Sequence, residues 1–255
     1  MVDNLFSIGV LERGGLARPK DSEWWGVFDD TESLKAVVYA GNRRADGRFG
    51  LAVASGEPVS AELLGLTLAG RGGVVWAVGE AGSTEALWQG LGGHKARVVS
   101  DQVLMAASTD GDGHRLAIRR ATPSDFEWVF TAASSMMVED LGVDIAADRP
   151  SQFLSSIHAC IASGQEYIGC HQGTRVFRAR MGTDCFRGAQ IGGIWVEPSH
   201  RGSGLGRAGT RALVRELLCR VPRVTLHVRQ DNDVAIRCYK AAGFVPVRAF
   251  RLFVR

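Results

Sequence analysis

Residues 191–214 read IGGIWVEPSHRGSGLGRAGTRALV, and three kinds of sequence pattern follow one another in them. Ile191–Val196 is apolar and rich in β-formers and stops at Pro198, as a strand does. Gly202, Gly204 and Gly206 then alternate with Ser203 and Leu205 in a turn. From Leu205 the positions Ala208, Leu213, Val214, Leu217 and Leu218 fall at helical spacing until Pro222 ends the run. A glycine-rich turn between strand and helix makes an anion cradle. Glycine lets the backbone approach closely, several amides converge on one concavity, and the helix adds its positive N-terminal end. Arg201 and Arg207 flank the turn with guanidinium groups suited to phosphate oxygens. Alternating glycines are conformationally costly unless their backbone shape is used, so a pyrophosphate is the expected ligand.

Upstream of this stretch, residues 114–121 read as a strand. Pro123 opens a helix reaching about Leu141, and a second helix follows Pro150 until Gly164. The period then changes to two: residues 166–182 form two strands about a Gln172-Gly173 turn, and residues 189–198 form a third. Downstream of the glycine turn and its helix come a strand over 223–228, a helix from Asn232 to Ala242 closed by Gly243, and short strands over 244–247 and 250–254. The order predicted for the second half is βααβββαβαββ.

The first half echoes part of that order. Strands are predicted over 24–29, 34–40 and 49–54, a helix over 60–70, a strand over 74–79, a helix over 83–93, and one or two strands over 96–107. The polar, glycine-rich 108–113, STDGDG, reads as the linker, giving a first domain over 1–110 and a second over 111–255. Where the second half carries its phosphate turn, the first has 55–59, SGEPV, with a single glycine and no arginine. The first domain is therefore not expected to bind the ligand of that phosphate turn.

Two phosphate-binding patterns overlap in the central stretch. Gly204 to Gly209 matches GxGxxG, with Asp231 at a distance suited to a ribose contact. Too little chain remains for the further parallel strands of a dinucleotide fold, and the lysine of a Walker loop is absent. Arg201 to Gly206 instead reads R-x-x-G-x-G. It resembles the acetyl-CoA pyrophosphate loop of the GNAT N-acetyltransferases, Q/R-x-x-G-x-G/A between a strand and a helix. Residues 232–244, NDVAIRCYKAAGF, are similar to that family's N-x-x-A-x-x-x-Y-x-x-x-G-F segment through Asn232, Ala235, Tyr239, Gly243 and Phe244. One helix and one strand separate the two motifs, as in the family, and the resemblance covers roughly 114–255. The first half resembles the additional N-terminal domain of a bacterial subset of members.

The resemblance implies an α+β fold: a GNAT-like mixed sheet flanked by helices, preceded by a smaller, partial GNAT-like α/β domain. It also implies an acetyl-CoA-dependent N-acetyltransferase in which an amine of a small molecule or protein attacks the thioester directly. The backbone of Ile194, Trp195 and Val196 would pair with the pantetheine arm. Arg201, Gly202, Ser203, Gly204, Leu205, Gly206 and Arg207 would hold the pyrophosphate, and Asn232 and Ala235 would lie by the cofactor arm. Tyr239 matches the tyrosine placed to protonate the leaving sulfur. Where some members carry a glutamate base this chain has Gln190, which cannot take the proton. Glu139 and Asp140, at the end of the first helix of the second half, border the acceptor cleft of that fold and are expected to meet a cationic amine. A CoA-binding or partner-binding protein whose catalysis has lapsed is the alternative, motivated by Gln190. The first domain is expected to complete the substrate cleft or to present a homodimer surface.

Composition agrees with a globular chain: 255 residues, 45% hydrophobic and 22% charged. No apolar run approaches a membrane span and the opening residues lack a signal-peptide pattern, so a cytoplasmic protein without a membrane partner is expected. The five cysteines are widely spaced without a CxxC pair. They read as reduced and buried, and no metal site is expected. Residues 201–255 hold 12 Lys+Arg against 3 Asp+Glu, leaving 18 against 24 in the first 200. That asymmetry points to an anionic partner. With no aromatic-rich basic strip or recognition motif, a phosphate-bearing cofactor is expected rather than nucleic acid.

Overall fold

The structure, a computed structural model, describes residues 21–142 and 144–255. The opening residues read above for a signal peptide lie outside the described residues. The described residues fall into two compact units, bounded as Met1–Met105 with His227–Asn232 and Pro246–Arg255, and Ala106–Leu226 with Asp233–Val245.

In the first unit, β1 (Glu23–Phe28), β2 (Leu34–Arg43) and β3 (Phe49–Gly56) run antiparallel to their neighbours. Helix α1 (Pro58–Ala69) crosses to β4 (Val74–Glu80), and helix α2 (Ala81–Gly90) leads to β5 (Val98–Ala107). Pro58 stands at the start of α1, where its missing N–H costs no helix bond. The parallel β3–β4 ladder is sustained from Phe49↔Val74 to Ala54↔Gly79. On its other edge β4 pairs antiparallel with the last strand, β11 (Val245–Val254), from Phe250↔Glu80 to Val254↔Trp76. Val38, Phe49, Leu64, Leu68, Leu87 and Trp88 build the core, and Phe253 stacks on Trp88 with ring centroids 4.9 Å apart. Each such fully buried side chain contributes about 1.5–3 kcal/mol of transfer free energy.

The second unit holds β6 (Ala117–Arg120), helices α3 (Phe126–Leu141), α4 (Ile145–Asp148) and α5 (Pro150–Ala162), then β7 (Glu166–His171), β8 (Thr174–Cys185) and β9 (Gly188–Val196). Helix α6 (Leu205–Leu218), β10 (Val224–Arg229, of which Val224–Leu226 belong here) and helix α7 (Asp233–Ala241) follow. Strands β6 to β9 are successively antiparallel, and β10 joins β9 parallel. Ile168 of β7 packs on Val129 and Ala133 of α3 and Ile157 and Ile161 of α5, which covers one face of this sheet. On the other face α6 approaches Phe177 so closely at Gly209 that a Cβ there would stand 2.5 Å from the ring. Asp125 ties the start of α3 to the strands. It accepts from the Thr122 amide at 2.8 Å, Arg119 Nη1 at 2.7 Å and Arg175 Nε at 2.8 Å, and these donors hold its carboxyl well below the usual range.

The element order of the first half agrees with the sequence reading, that of the second agrees apart from an added short helix and a single final strand, and both units run antiparallel, antiparallel, then parallel around a crossover helix. Four local expectations are corrected. Residues 245–247 and 250–254 belong to one strand, β11, whose exposed start carries Pro246. Residues 114–121 shorten to the four of β6, and α4 was not foreseen. The cysteines are free, but Cys219 is exposed and Cys170 and Cys238 half-buried, with only Cys160 and Cys185 buried. The Gln172-Gly173 turn stands as expected, both residues left-handed as a two-residue hairpin requires.

Candidate functional site

The parallel ladder between β9 and β10 comprises two rungs at the start of the strands, Val224↔Ala189 and Thr225↔Gln190. Just beyond Gln190 stand Gly192 and Gly193, the latter left-handed at φ 59°. There the β8–β9 register slips, with Arg180 opposite Gly192 and Arg178 opposite Trp195. A bulge of this kind bends the strand. The carbonyls and amides of Ile194–Val196 therefore keep one edge outside the β9–β10 ladder, on a strand anchored by β8 on its other side. That edge offers an extended ligand the hydrogen bonds of an added strand.

After a 3-10 turn at Pro198–His200 the chain enters the glycine turn. Gly202 and Gly204 adopt φ of 79° and 82°, which a side chain would resist, and Gly204 caps α6. The first bond of α6 runs from the Ala208 amide to the Gly204 carbonyl at 3.0 Å, so the amides of Leu205, Gly206 and Arg207 have no intrahelical acceptor. Ser203 Oγ donates to the His200 carbonyl and closes the turn. A Cβ on Gly206 would stand 3.2 Å from Val196 Cγ2, so the turn folds back tightly over the end of β9. Free amides at a helix N-terminus, next to two arginines, form an anion site.

Arg201 is held away from a purely diffuse role. Its Nε donates to the Val196 carbonyl at 3.0 Å, and its Nη2 bonds both oxygens of Glu139 at 3.0 and 2.9 Å. The residue expected to meet pyrophosphate and the one expected to meet an amine are thus brought together. Asp140, next along α3, lies near enough to Tyr239 to influence it electrostatically. The Tyr239 ring is buried on α7 and meets Phe244 edge-on at 6.1 Å. Burial pushes its phenol well above the ordinary range, and Cys238 and Asp140 act in the same direction, so the proton stays on. Burial likewise raises the thiol of Cys238, whose sulfur lies beside Gly206. Ala235 sits in the first turn of α7, and the Asn232 amide donates to the Arg229 carbonyl at 3.1 Å within the first unit. Gln190 occupies the last β9–β10 rung and pairs with Thr183 on its other side.

One group escaped the sequence reading. Arg178, Glu166, Arg180 and Trp195 form a polar row on β7, β8 and β9, in which Arg178 Nη2 donates to Glu166 Oε1 at 2.7 Å and Nη1 to the Gly193 carbonyl at 3.2 Å. The signal was present as arginines at 178 and 180 alternating with Phe177, Ala179 and Met181 in an interior strand.

Elsewhere the arginine excess of the last 55 residues is met by carboxylates. Arg251 pairs with Asp101 and Glu85, Arg248 with Glu80, and Arg229 with Asp231. Arg251 and Arg248 thus find their partners far back in the sequence. Among the described residues no helix is long and apolar enough to cross a membrane.

The sheet thus has a bulged strand that leaves its parallel neighbour and runs into a glycine turn at a helix N-terminus, an arrangement suited to an extended, phosphate-bearing ligand. Residues 119–244 match the Acetyltransferase (GNAT) family. A mycothiol acetyltransferase of a Nocardioides species is 30% identical over 266 residues, covering 90% of this chain and 88% of that protein. Two solved structures share the fold. A GCN5-related N-acetyltransferase from Sphaerobacter thermophilus has TM-score 0.61 and 16% identity, over all of this chain and 91% of that one. A tandem GNAT protein from the clavulanic acid biosynthesis pathway has TM-score 0.53 and 13% identity, over 99% and 87%. The chain belongs to the GNAT acetyltransferase family, whose members transfer acyl groups from acetyl-CoA.

Proposed function

We propose that the chain is an acetyl-CoA-dependent N-acetyltransferase that passes acetyl directly to an amine of a small molecule or protein. The observation that carries this reading is the β9 strand, free of its parallel partner after Gln190 and leading into the left-handed turn at Gly202 and Gly204. The residues present fit the cofactor. An extended pantetheine arm finds strand-like partners in Ile194, Trp195 and Val196. A pyrophosphate finds the amides of 202–207 and the guanidinium of Arg207, with Arg201 placed by Glu139. Acetyl-CoA supplies the activated acetyl group. The chain's own residues position and neutralise: amides hold the negative ends, and Tyr239, kept protonated by burial, is the proton donor.

Tyr239 is the proposed acid, and Gln190, which cannot take a proton from the amine, is not proposed as the base. Glu139 and Asp140, adjacent at the end of α3, are the carboxylates proposed to draw the amine. Asn232 and Ala235 are proposed at the cofactor arm. Residues 111–255 are proposed as the transferase domain, with 1–110 as a related domain that binds no coenzyme A. The sustained β3–β4 ladder of the first unit, against the two rungs of β9–β10, supports that difference. The name of the Nocardioides relative adds a mycothiol-related amine to the acceptors worth testing.

Calorimetric titration with acetyl-CoA and with CoA, in wild type and Gly204→Glu, tests the reading. Binding that disappears in the folded variant supports it, and acetylation of an amine panel by wild type completes it. Binding without turnover identifies the lapsed, CoA-binding alternative. No binding by folded wild type overturns the cofactor assignment.

A further inference from the structure

We propose that the α3/α5 face of β8 and β9 is an acceptor subsite for an amine whose own molecule carries an oxyanion, a carboxylate or phosphonate, held by Arg180 with Arg178 behind it. This rests on the acetyl-transfer reading above.

The side of the sheet follows from alternation. Phe177 faces Gly209 of α6, so Arg178 and Arg180 face the opposite way. That is the side on which Ile168, opposite Arg178 in the β7–β8 ladder, meets α3 and α5. The Arg178 and Glu166 side chains are 3% and 0% exposed. Yet the group is not closed within itself. Arg178 Nε, Arg180 Nε and Trp195 Nε1 are buried donors, and Glu166 Oε2 a buried acceptor, without hydrogen-bond partners. Buried polar groups are ordinarily satisfied, so such a set marks either a cost retained for a purpose or a ligand position. Donors exceed acceptors three to one, and two guanidinium groups face one carboxylate. An anion rich in acceptors corrects both imbalances at once.

There is room for it. Gly192 is the ladder partner of Arg180, and a Cβ built on it would meet nothing within 4 Å. Gly192 lies two residues before Ile194, where the strand edge proposed for the cofactor arm begins. An oxyanion beside Arg180 therefore places its own molecule along the strand that carries the acyl donor. The guanidinium fork matches carboxylate and phosphonate alike. Conversely, the excess positive charge disfavours polyamines and lysine side chains, whose acceptor amine comes without a neighbouring anion.

Initial rates with matched pairs test this: L-alanine against L-alaninamide, β-alanine against β-alaninamide, and aminomethylphosphonate against methylamine. The expected result is at least about tenfold higher kcat/KM for the anionic member, carried by KM and lost in Arg180→Gln, with the Kd for acetyl-CoA unchanged. The alanine and phosphonate arms separate the two anions. Gly192→Leu fills the open space without removing a charge and should raise the amine KM in the same way, which keeps the test valid if Arg180→Gln does not fold. Equal rates for acid and amide, a preference that survives both variants, or acetyl-CoA binding with no anionic amine acetylated overturns the proposal. If acetyl-CoA itself does not bind, the transferase reading falls. The anion site is then decided by thermal-shift titration of the free protein with the same pairs, where stabilisation by the acid alone supports it and equal response overturns it.

Discussion

Arg201 Nη2 stands 3.0 and 2.9 Å from the two carboxylate oxygens of Glu139, sixty-two residues away in the chain. Both side chains are 44% exposed, so the pair contributes at most about 1 kcal/mol to stability. Its importance is positional: it fixes one wall of the phosphate turn and spends part of the positive charge that a pyrophosphate would use. Glu139→Gln should leave unfolding in urea unchanged within about 0.5 kcal/mol and tighten acetyl-CoA binding about threefold at low salt, an effect that added salt removes. Titration at two ionic strengths measures it.

Gly209 and Gly204 fail under substitution for different reasons. At Gly209 the obstacle is space, a Cβ 2.5 Å from the buried Phe177 ring, and Gly209→Ala should cost about 1–3 kcal/mol of stability by overpacking. At Gly204 there is room but φ is 82°, so Gly204→Ala should cost about 1–2 kcal/mol through backbone strain. Only the second should weaken acetyl-CoA binding in protein that remains folded. Chemical denaturation paired with calorimetry separates the two.

Tyr239 keeps its proton through the neutral and moderately alkaline range because burial opposes the phenolate. Tyr239→Phe should lower kcat about 100-fold with little change in the acetyl-CoA Kd. The wild-type rate profile should show no alkaline limb from this residue between pH 7 and 10. A limb there that vanishes in the variant would assign the phenol a different role.

His227 packs its ring against Phe250 at 4.5 Å, and burial lowers its pKa from 6.5 to about 4. The unfolded chain then binds the proton that the folded one refuses. Stability from this group is complete above pH 6.5 and declines as pH falls toward 4. His227→Gln should flatten the stability profile across that window, as measured by urea unfolding at intervals of pH.

Asp125 titrates with the opposite chemistry. Its donors depress the folded pKa below the ordinary 3.8, so its contribution is present above that value and lost as pH falls through the acid range. Asp125→Asn should cost about 2–3 kcal/mol at neutral pH, and less in acid, because it removes charge-assisted bonds from the start of α3.

Much of the fold was legible because its elements are locally determined. Pro58, Pro123 and Pro150 open helices, Gly164 and Gly243 close them, and Gln172-Gly173 can only turn. The phosphate turn was legible for the same reason: left-handed backbone at Gly202 and Gly204 is a property of glycine itself, and helix amides follow from its position before α6. What stayed hidden depended on residues remote in sequence. No local pattern could say that residues 250–254 would pair with β4, that Pro246–Arg255 would be grouped with the first unit, or that Arg201 would meet Glu139. The row of Arg178, Arg180, Glu166 and Trp195 was hidden likewise, since a charged residue in a strand is solvated or buried according to what covers that face.

Element types, the glycine turn and the family motifs were thus decided by short-range chemistry: dihedral preference, missing donors and hydrophobic period. Which charges neutralise one another, which strand edge stays open, and which polar atoms lie buried without partners were decided only by tertiary structure, because each depends on distance and desolvation between segments far apart along the chain.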